Sequence, residues 1–302
     1  MDRVTSDALI PALMTEVNAL LSDYSEMSYE ALSRYLFHPA TILATIYFAI
    51  QGMRLLLGEL NLTFSVLFKT ILRIGFIFTL MGTGGWQYIA QYCYEFLNQL
   101  SLDLGQVLLE GVSTAHSKNL FDGLQDVLNQ FSTIGFNFFM QGHFYHWLPY
   151  LNGLLVWAVG FLMVAVGLFH LIVAKVLFSI LLAILPLILL ACFFDRFYSI
   201  FDRWVGFIVS IFLLQILIYA VLAFEITLSH WWVDSFQLSG HLLSHFKAIP
   251  LIIFGVISVG LMGKMSTLAY GIGAGVASVS AEEGSGAWIG RNLWGRSRGP
   301  RS

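Results

Sequence analysis

The sequence predicts an all-α, polytopic helical membrane protein with five or six apolar membrane segments and an amphipathic helical insert. Of its 302 residues, 58% are hydrophobic and 11% are charged, and the mean hydropathy is +0.78. A soluble domain carries about 25% charged residues, so this chain has too little charge to cover a water-soluble globule. Intrinsic disorder is excluded as well, because it requires low hydrophobicity and high charge. Uncharged stretches near the length that crosses a hydrocarbon core, about 20 residues, recur along the chain.

Composition also limits the chemistry. The formal net charge of −3 provides no general basic field for nucleic acid. The two cysteines, Cys93 and Cys192, form neither a disulfide framework nor a CxxC motif. Neither GxSxG nor HExxH occurs in the chain, so we predict no catalytic residue, no metal site and no cofactor.

The first segment, residues 1–36, is predicted to be an amphipathic helix on the outer side of the membrane. Its start is acidic, which is not typical of a cleaved signal peptide. Its apolar face packs either on the protein itself or on a partner. The residues at helical spacing are Leu9, Leu13, Val17, Leu20 and Tyr24.

Gaps between charged residues mark six candidate spans. The first gap, between Arg34 and Arg54, encloses 19 residues. The last, between Lys247 and Lys264, encloses only 16 with three glycines, so it is predicted to be re-entrant or interfacial. The runs near 37–57 and within 62–90 form a first membrane block, 37–90, and those at 150–174, 176–194, 204–224 and 248–263 form a second, 150–270.

Between the two blocks, residues 91–149 are too polar to span, with five acidic side chains and one lysine. Two helical stripes of apolar residues lie on either side of a break at 111–117. These stripes must be buried against each other, against other copies or against a partner. The predicted contact residues are Leu97, Leu100 and Leu104 on the first stripe and Phe121, Leu124 and Leu128 on the second.

Aromatic residues and one proline are predicted to set the membrane boundaries and packing. Trp86 and Trp147 frame the insert, as in an interfacial aromatic belt, and Trp204 opens the fifth run. Pro186 lies within LLAILPLILL and predicts a kink, because neighbouring groups must satisfy the carbonyl that proline leaves free.

Lysine and arginine determine the predicted orientation. The Gly-rich to basic tail, 271–302, should be cytoplasmic, whereas the acidic N-terminus and the insert should lie outside. A chain that starts outside and ends inside must cross the membrane an odd number of times. Of the six candidate runs, the short run 248–263 is therefore predicted not to cross. This five-span arrangement leaves Arg196 and Arg203 outside. An inverted six-span arrangement would place both inside but would also put the insert in the cytoplasm.

Several charged side chains lie within or beside the apolar runs and are candidate functional groups. Lys69 and Arg73 share one helix face and either serve a function or snorkel to the surface. Lys175 separates the third and fourth runs. In FDRFYSIFDRW, the paired Asp195, Arg196, Asp202 and Arg203 suit an interfacial segment, with a paired-carboxylate site as the alternative. His241 and His245 are four residues apart, but two histidines do not complete a metal site.

The stretch 175–214 resembles the central region of the TrbL-like (TrbL/VirB-type) polytopic inner-membrane subunit of type IV secretion systems. The shared features are a lysine before a long apolar run, Pro186, the aromatic-rich FFDRF and Trp204 at the start of the next run. FKTILRIGFIFTL, at 68–80, is similar to the second membrane block of that family. The similarity in layout covers most of 35–280, and the extra C-terminal apolar run departs from it.

This resemblance implies a bacterial inner-membrane core component that is not an enzyme. It would help pass DNA or protein across the membrane and support pilus assembly, with a periplasmic N-terminus and insert. The implied partners are the pilus-tip minor subunit, the major pilin, the bitopic scaffold subunit, the ATPases, membrane lipid and further copies of the chain in a ring.

Two readings from other classes remain open. A secondary transporter or channel would use Lys69 and Arg73 with a broken helix near Pro186. A membrane-embedded enzyme would use Asp195, Asp202 or the pair of histidines at 241 and 245.

Overall fold

A computed structural model describes residues 9–58, 64–82, 84–112, 119–140, 147–193, 197–237 and 248–283. Regular structure in these residues is entirely helical, which confirms the predicted all-α class. The helices are α1 (Leu9–Leu56), α2 (Phe64–Met81), α3 (Gly85–Ile89), a π-helical turn (Ala90–Glu95), α4 (Phe96–Val112), α5 (Leu120–Met140), α6 (Leu148–Ala183), α7 (Leu185–Ala191), α8 (Tyr198–Gln237) and α9 (Ala248–Glu283).

Four described helices are long and apolar enough to cross a membrane. They are α1, α6, the Ser199–Trp231 part of α8 and the Ile249–Ala269 part of α9. A shorter apolar segment, Thr70–Met81, lies in α2. The chain is therefore a polytopic helical membrane protein, as its composition predicts.

Several helix boundaries differ from the predicted runs. The N-terminal amphipathic segment and the first run form one helix, α1, which continues through Pro39. The third run continues through Lys175 into the first part of the fourth as one helix, α6, since a lone lysine does not interrupt helical backbone hydrogen bonding. The break comes instead at Ile184, directly before the Leu185–Pro186 start of α7, where proline cannot donate a backbone hydrogen bond.

The last apolar run also differs from the prediction. Residues 248–263 do not stand alone, because α9 continues through Lys264 without a break. The apolar part of this helix, Ile249–Ala269, has 21 residues and is long enough to span. A short re-entrant segment is therefore not what the structure shows.

The described residues fall into two compact units that each combine distant parts of the chain. The first unit takes its residues from 9–22, 96–177 and 212–269. The second takes them from 23–95, 178–211 and the described residues after 269.

In the first unit, α5 packs directly along α6 through glycines. A Cβ atom added at Gly153 would lie 2.7 Å from the main-chain oxygen of Gly135, and one added at Gly160 would overlap the buried side chain of Phe131. The core of this unit also includes Leu214, Ile218 and Leu222 of α8 and Leu251 of α9. The insert helix α5 is thus part of the same core as the apolar helices.

In the second unit, two hydroxyl groups of α1 donate hydrogen bonds to main-chain oxygens at the C-terminal end of α2. Helix C-termini leave carbonyl groups without intrahelical donors. The Tyr29 hydroxyl donates to the oxygen of Leu80 at 2.7 Å, and the Ser33 hydroxyl donates to that of Met81 at 2.8 Å. A cavity of about 490 Å³ lies beside these contacts, with the Glu30–Arg34 ion pair among its lining residues.

Candidate functional site

Of the predicted charged residues, the structure brings Arg73 and Asp202 together, since both lie close enough to Cys192 to interact with it electrostatically. The side chain of Lys69 and the residues Asp195 and Arg196 lie outside the described part of the chain. Arg73 is half-buried and has an interaction partner, and Lys175 is buried within α6. Asp202 is half-buried and Arg203 is exposed near the start of α8.

The predicted belt residues occupy different environments. Trp147 is 67% exposed, as a lipid-interface side chain would be. Trp86 is only 5% exposed, because its ring packs against those of Tyr29 and Tyr94 in the second unit. Trp204 is also buried, and its indole Nε1–H donates to the Leu181 oxygen at 3.1 Å.

Pro186 lies in the first turn of α7 and is buried. It follows the helix break, where the main-chain oxygen of Ile184 accepts from the nitrogens of Leu187 and Ile188. The proline therefore begins a new short helix after a turn.

The two predicted contact stripes differ in burial. Leu124 of α5 is fully buried, and Phe121 and Leu128 pack against the same core. A partner that touched Leu124 would have to displace this packing. On α4 the buried positions are Ser101, Gly105 and Leu109, so this helix packs through a face offset from the predicted stripe.

A surface of α4 therefore remains open to the outside of the unit. Leu97 and Leu100 are half-buried. The exposed apolar residues further along this surface are Leu104, Val107 and Leu108, and we call them the α4 apolar face. Asp103 and Glu110, two helical turns apart, are exposed beside this face.

The interior of the first unit holds an unexpected set of polar side chains along α8. Gln215 accepts a hydrogen bond from Ser101 of α4 at 3.1 Å. Fifteen residues later, the Nδ1 atom of His230 lies 2.9 Å from the Nε2 atom of Gln130 on α5. These contacts link α8 to the two insert helices.

Glu225 lies between these two links and is the central member of the set. It is buried, and one of its carboxylate oxygens accepts a hydrogen bond from Ser258 of α9. Polar groups inside a membrane segment are costly and are functional candidates by default. Sequence reasoning used Glu225 only to end a span. The signal that would have found it is the apolar sequence that resumes at Ile226, which makes it an acid within one long helix.

The described residues provide no arrangement that would support a histidine metal site or an enzyme active site. His241 and His245 lie outside them. Within the described ranges, no group of three or more His, Cys, Asp or Glu side chains could hold a metal ion.

These observations define the class of protein, a polytopic helical membrane protein with a few polar side chains in its hydrophobic core and a partly exposed insert helix. A family model described as TrbL/VirB6 plasmid conjugal transfer protein matches residues 44–265. The chain therefore belongs to this family, which confirms the resemblance seen in the sequence, and it is a component of conjugal transfer or type IV secretion that works with other subunits of that machinery. No curated protein matches the chain.

Proposed function

We propose that this chain is an inner-membrane core component of a type IV secretion system that helps pass DNA or protein across the membrane and supports pilus assembly. In this proposal it catalyses no reaction, and it works in a ring of identical copies. Its other partners are the pilus-tip minor subunit, the major pilin, the bitopic scaffold subunit and the ATPases. Family membership supports the general role.

The single observation that carries the docking role is the α4 apolar face. Val107 is 61% exposed on a helix whose opposite side is anchored by Ser101, Gly105 and Leu109. At Gly105, an added Cβ would lie 2.7 Å from the Cβ of Tyr219, so α4 is held close to α8. A rigidly held helix with an exposed apolar side is suited to docking another protein.

The exposed acids beside this face specify the partner. Asp103 and Glu110 would pair with lysine or arginine side chains across an interface. We therefore assign as occupant another secretion subunit that presents apolar residues beside basic ones.

The test places a charge on the face. Val107→Asp should insert into the membrane like the wild type but lose co-purification with other secretion subunits and lower transfer by about tenfold or more, because an uncompensated buried charge costs several kcal/mol. Gln99→Asp is the matched control, since it adds the same charge to an exposed position of α4 outside the apolar face. Wild-type transfer by Val107→Asp would contradict the docking role.

Charge reversal tests the proposed partner chemistry. Asp103→Lys should weaken the same co-purification, and the loss should grow as the ionic strength falls, since like charges would then face each other with less screening. An unchanged or stronger complex would show that the partner is not basic at this position.

We also propose a periplasmic N-terminus and insert with a cytoplasmic C-terminus. Single cysteines at Ser117, Ser199, Ser239 and Ser297, in a Cys93→Ser, Cys192→Ser background, test this orientation. Because α6 is one continuous helix and α9 is long enough to span, Ser117→Cys and Ser239→Cys should react with an impermeant thiol reagent in intact cells, whereas Ser199→Cys and Ser297→Cys should react only after permeabilisation. Labelling of Ser117→Cys only after permeabilisation would reverse the orientation.

A transport assay distinguishes the proposed conduit subunit from a transporter. Purified protein in liposomes should move no small solute by itself. Solute movement that is lost when Lys69 or Arg73 is replaced by a neutral residue would instead support a transporter.

A further inference from the structure

Glu225 is buried in one candidate span and is hydrogen-bonded to a residue of another. Its side chain is 1% exposed within the Ser199–Trp231 segment of α8. Ser258, whose hydroxyl group donates a hydrogen bond to Glu225, is near the centre of the Ile249–Ala269 segment of α9. The carboxyl group is therefore remote from bulk water.

Only one oxygen of this carboxyl group is satisfied. The Oε1 atom accepts from the Ser258 hydroxyl, whereas the Oε2 atom is buried with no hydrogen-bond partner in the described residues. Ser229, one turn further along α8, is fully buried too, and its hydroxyl also lacks a partner there. An ionised carboxylate in such surroundings carries a desolvation penalty of several kcal/mol, and a neutral carboxylic acid avoids that penalty.

No described cation neutralises this carboxyl group. Glu225 forms no ion pair in the part of the chain that the structure describes. On the same and neighbouring helices, His230 pairs with Gln130, His170 of α6 bonds within its own helix, and Lys264 of α9 is exposed.

The remaining titratable groups of these helices lie further along them. On α6, an added Cβ at Gly167 would meet Leu222, which is one turn from Glu225. Lys175 is eight residues beyond Gly167, or about 12 Å along the helix axis. Tyr219 is on α8 itself, six residues before Glu225, and contacts Phe121.

We propose that Glu225 is a proton-binding site at the contact between α8 and α9. Its Oε2 atom carries the proton in the membrane-inserted protein, while Ser258 donates to Oε1, which is then the carbonyl oxygen of the acid. When the O–H bond breaks, the proton passes to water, and a carboxylate remains that the surrounding apolar residues do not solvate. Occupancy by a proton thereby stabilises the packing of α8 on α9. This site does not depend on the proposed role in secretion.

Infrared difference spectroscopy of the full chain in lipid nanodiscs tests the site. At neutral pH the wild type should show a carboxylic-acid C=O band that is lost in Glu225→Gln. Glu110→Gln, an exposed acid outside the candidate spans, should leave the band unchanged. Transfer into D₂O should shift the band, because an exchangeable deuteron replaces the proton.

A second variant keeps the test independent of how Glu225→Gln folds. Ser258→Ala leaves the carboxyl group in place but removes its donor, so the C=O band should move to higher frequency. A purely structural glutamate in its ionised form would give no acid band in either background. Absence of a band that Glu225→Gln removes, or a band that does not shift in D₂O, would overturn the proposal.

Discussion

Trp204 of α8 donates its indole N–H to the main-chain oxygen of Leu181, 23 residues earlier in the chain. Leu181 lies in the last turn of α6, where carbonyl groups lose their intrahelical donors. The tryptophan thus provides a donor for one carbonyl group at a helix end that the following Leu185–Pro186 segment does not continue.

Trp204→Phe should therefore destabilise the protein. The phenyl ring fills most of the space but donates no hydrogen bond, so a partly buried carbonyl group loses its partner at a cost of about 0.5–1.5 kcal/mol. Thermal unfolding in detergent should show the loss. Trp157→Phe is the control, because Trp157 is exposed and its stacking on Phe161 needs only an aromatic ring. Equal midpoints for the two variants would contradict the role of the indole N–H.

The close packing of α5 on α6 predicts that Gly160 tolerates no side chain. In Gly160→Ala the new methyl group would overlap the side chain of Phe131, and overpacking of this kind costs about 1–3 kcal/mol. Unfolding by SDS in mixed micelles provides the measurement. Gly260→Ala adds the same methyl group to an apolar helix at a position with no heavy atom within 4 Å, and it should leave stability unchanged or slightly raised.

The hydroxyl groups of Tyr29 and Ser33, which cap the C-terminal end of α2, are both expected to stabilise the protein. Tyr29→Phe and Ser33→Ala each remove one hydroxyl donor from the end of α2, and each should lower stability by about 0.5–1.5 kcal/mol. The exposed Tyr35 offers a matched Tyr→Phe control with no expected change. Protease sensitivity of the segment after Met81 should rise only in the first two variants. Protection equal to the wild type would argue against the cap.

A buried glutamine anchors the start of α1 in the first unit. Gln125 of α5 accepts a hydrogen bond from the Ile10 main-chain N–H at 3.1 Å and donates one to Asn129 at 3.2 Å. Gln125→Leu removes both bonds, so the first turn of α1 should exchange its amide hydrogens faster in hydrogen-exchange mass spectrometry. Gln99→Leu, at an exposed position of α4, should leave this exchange unchanged.

Composition and spacing were enough to predict the class of the fold, whereas the family was predicted from the resemblance of residues 175–214 and 68–80 to known members. Uncharged runs of about 20 residues predict membrane helices because the bilayer sets that length. The same rule misjudged where helices end. A lone Lys175 ends an uncharged run but leaves backbone hydrogen bonding intact, so α6 continues through it.

The environment of single side chains was harder to predict, because helical spacing gives the face of a residue but not the neighbour on that face. Trp86 has the sequence context of a belt residue, yet it is enclosed by two tyrosines. Leu124 and Leu104 belong to similar stripes, but only the first is buried, since α4 turns Ser101 and Gly105 toward the core. Glu225 was overlooked because its bonding partner lies 33 residues away in α9.

The uninterrupted length of α6 has a practical consequence for work with this protein. With 36 residues, the helix is about 54 Å long, whereas the hydrocarbon layer is about 30 Å thick. Unless it tilts strongly, α6 must project well beyond the lipid, and its first turns carry the exposed Leu148 and Leu151. Purification should therefore favour detergents with large micelles or co-expression with neighbouring subunits, since a small micelle would leave these leucines open to aggregation.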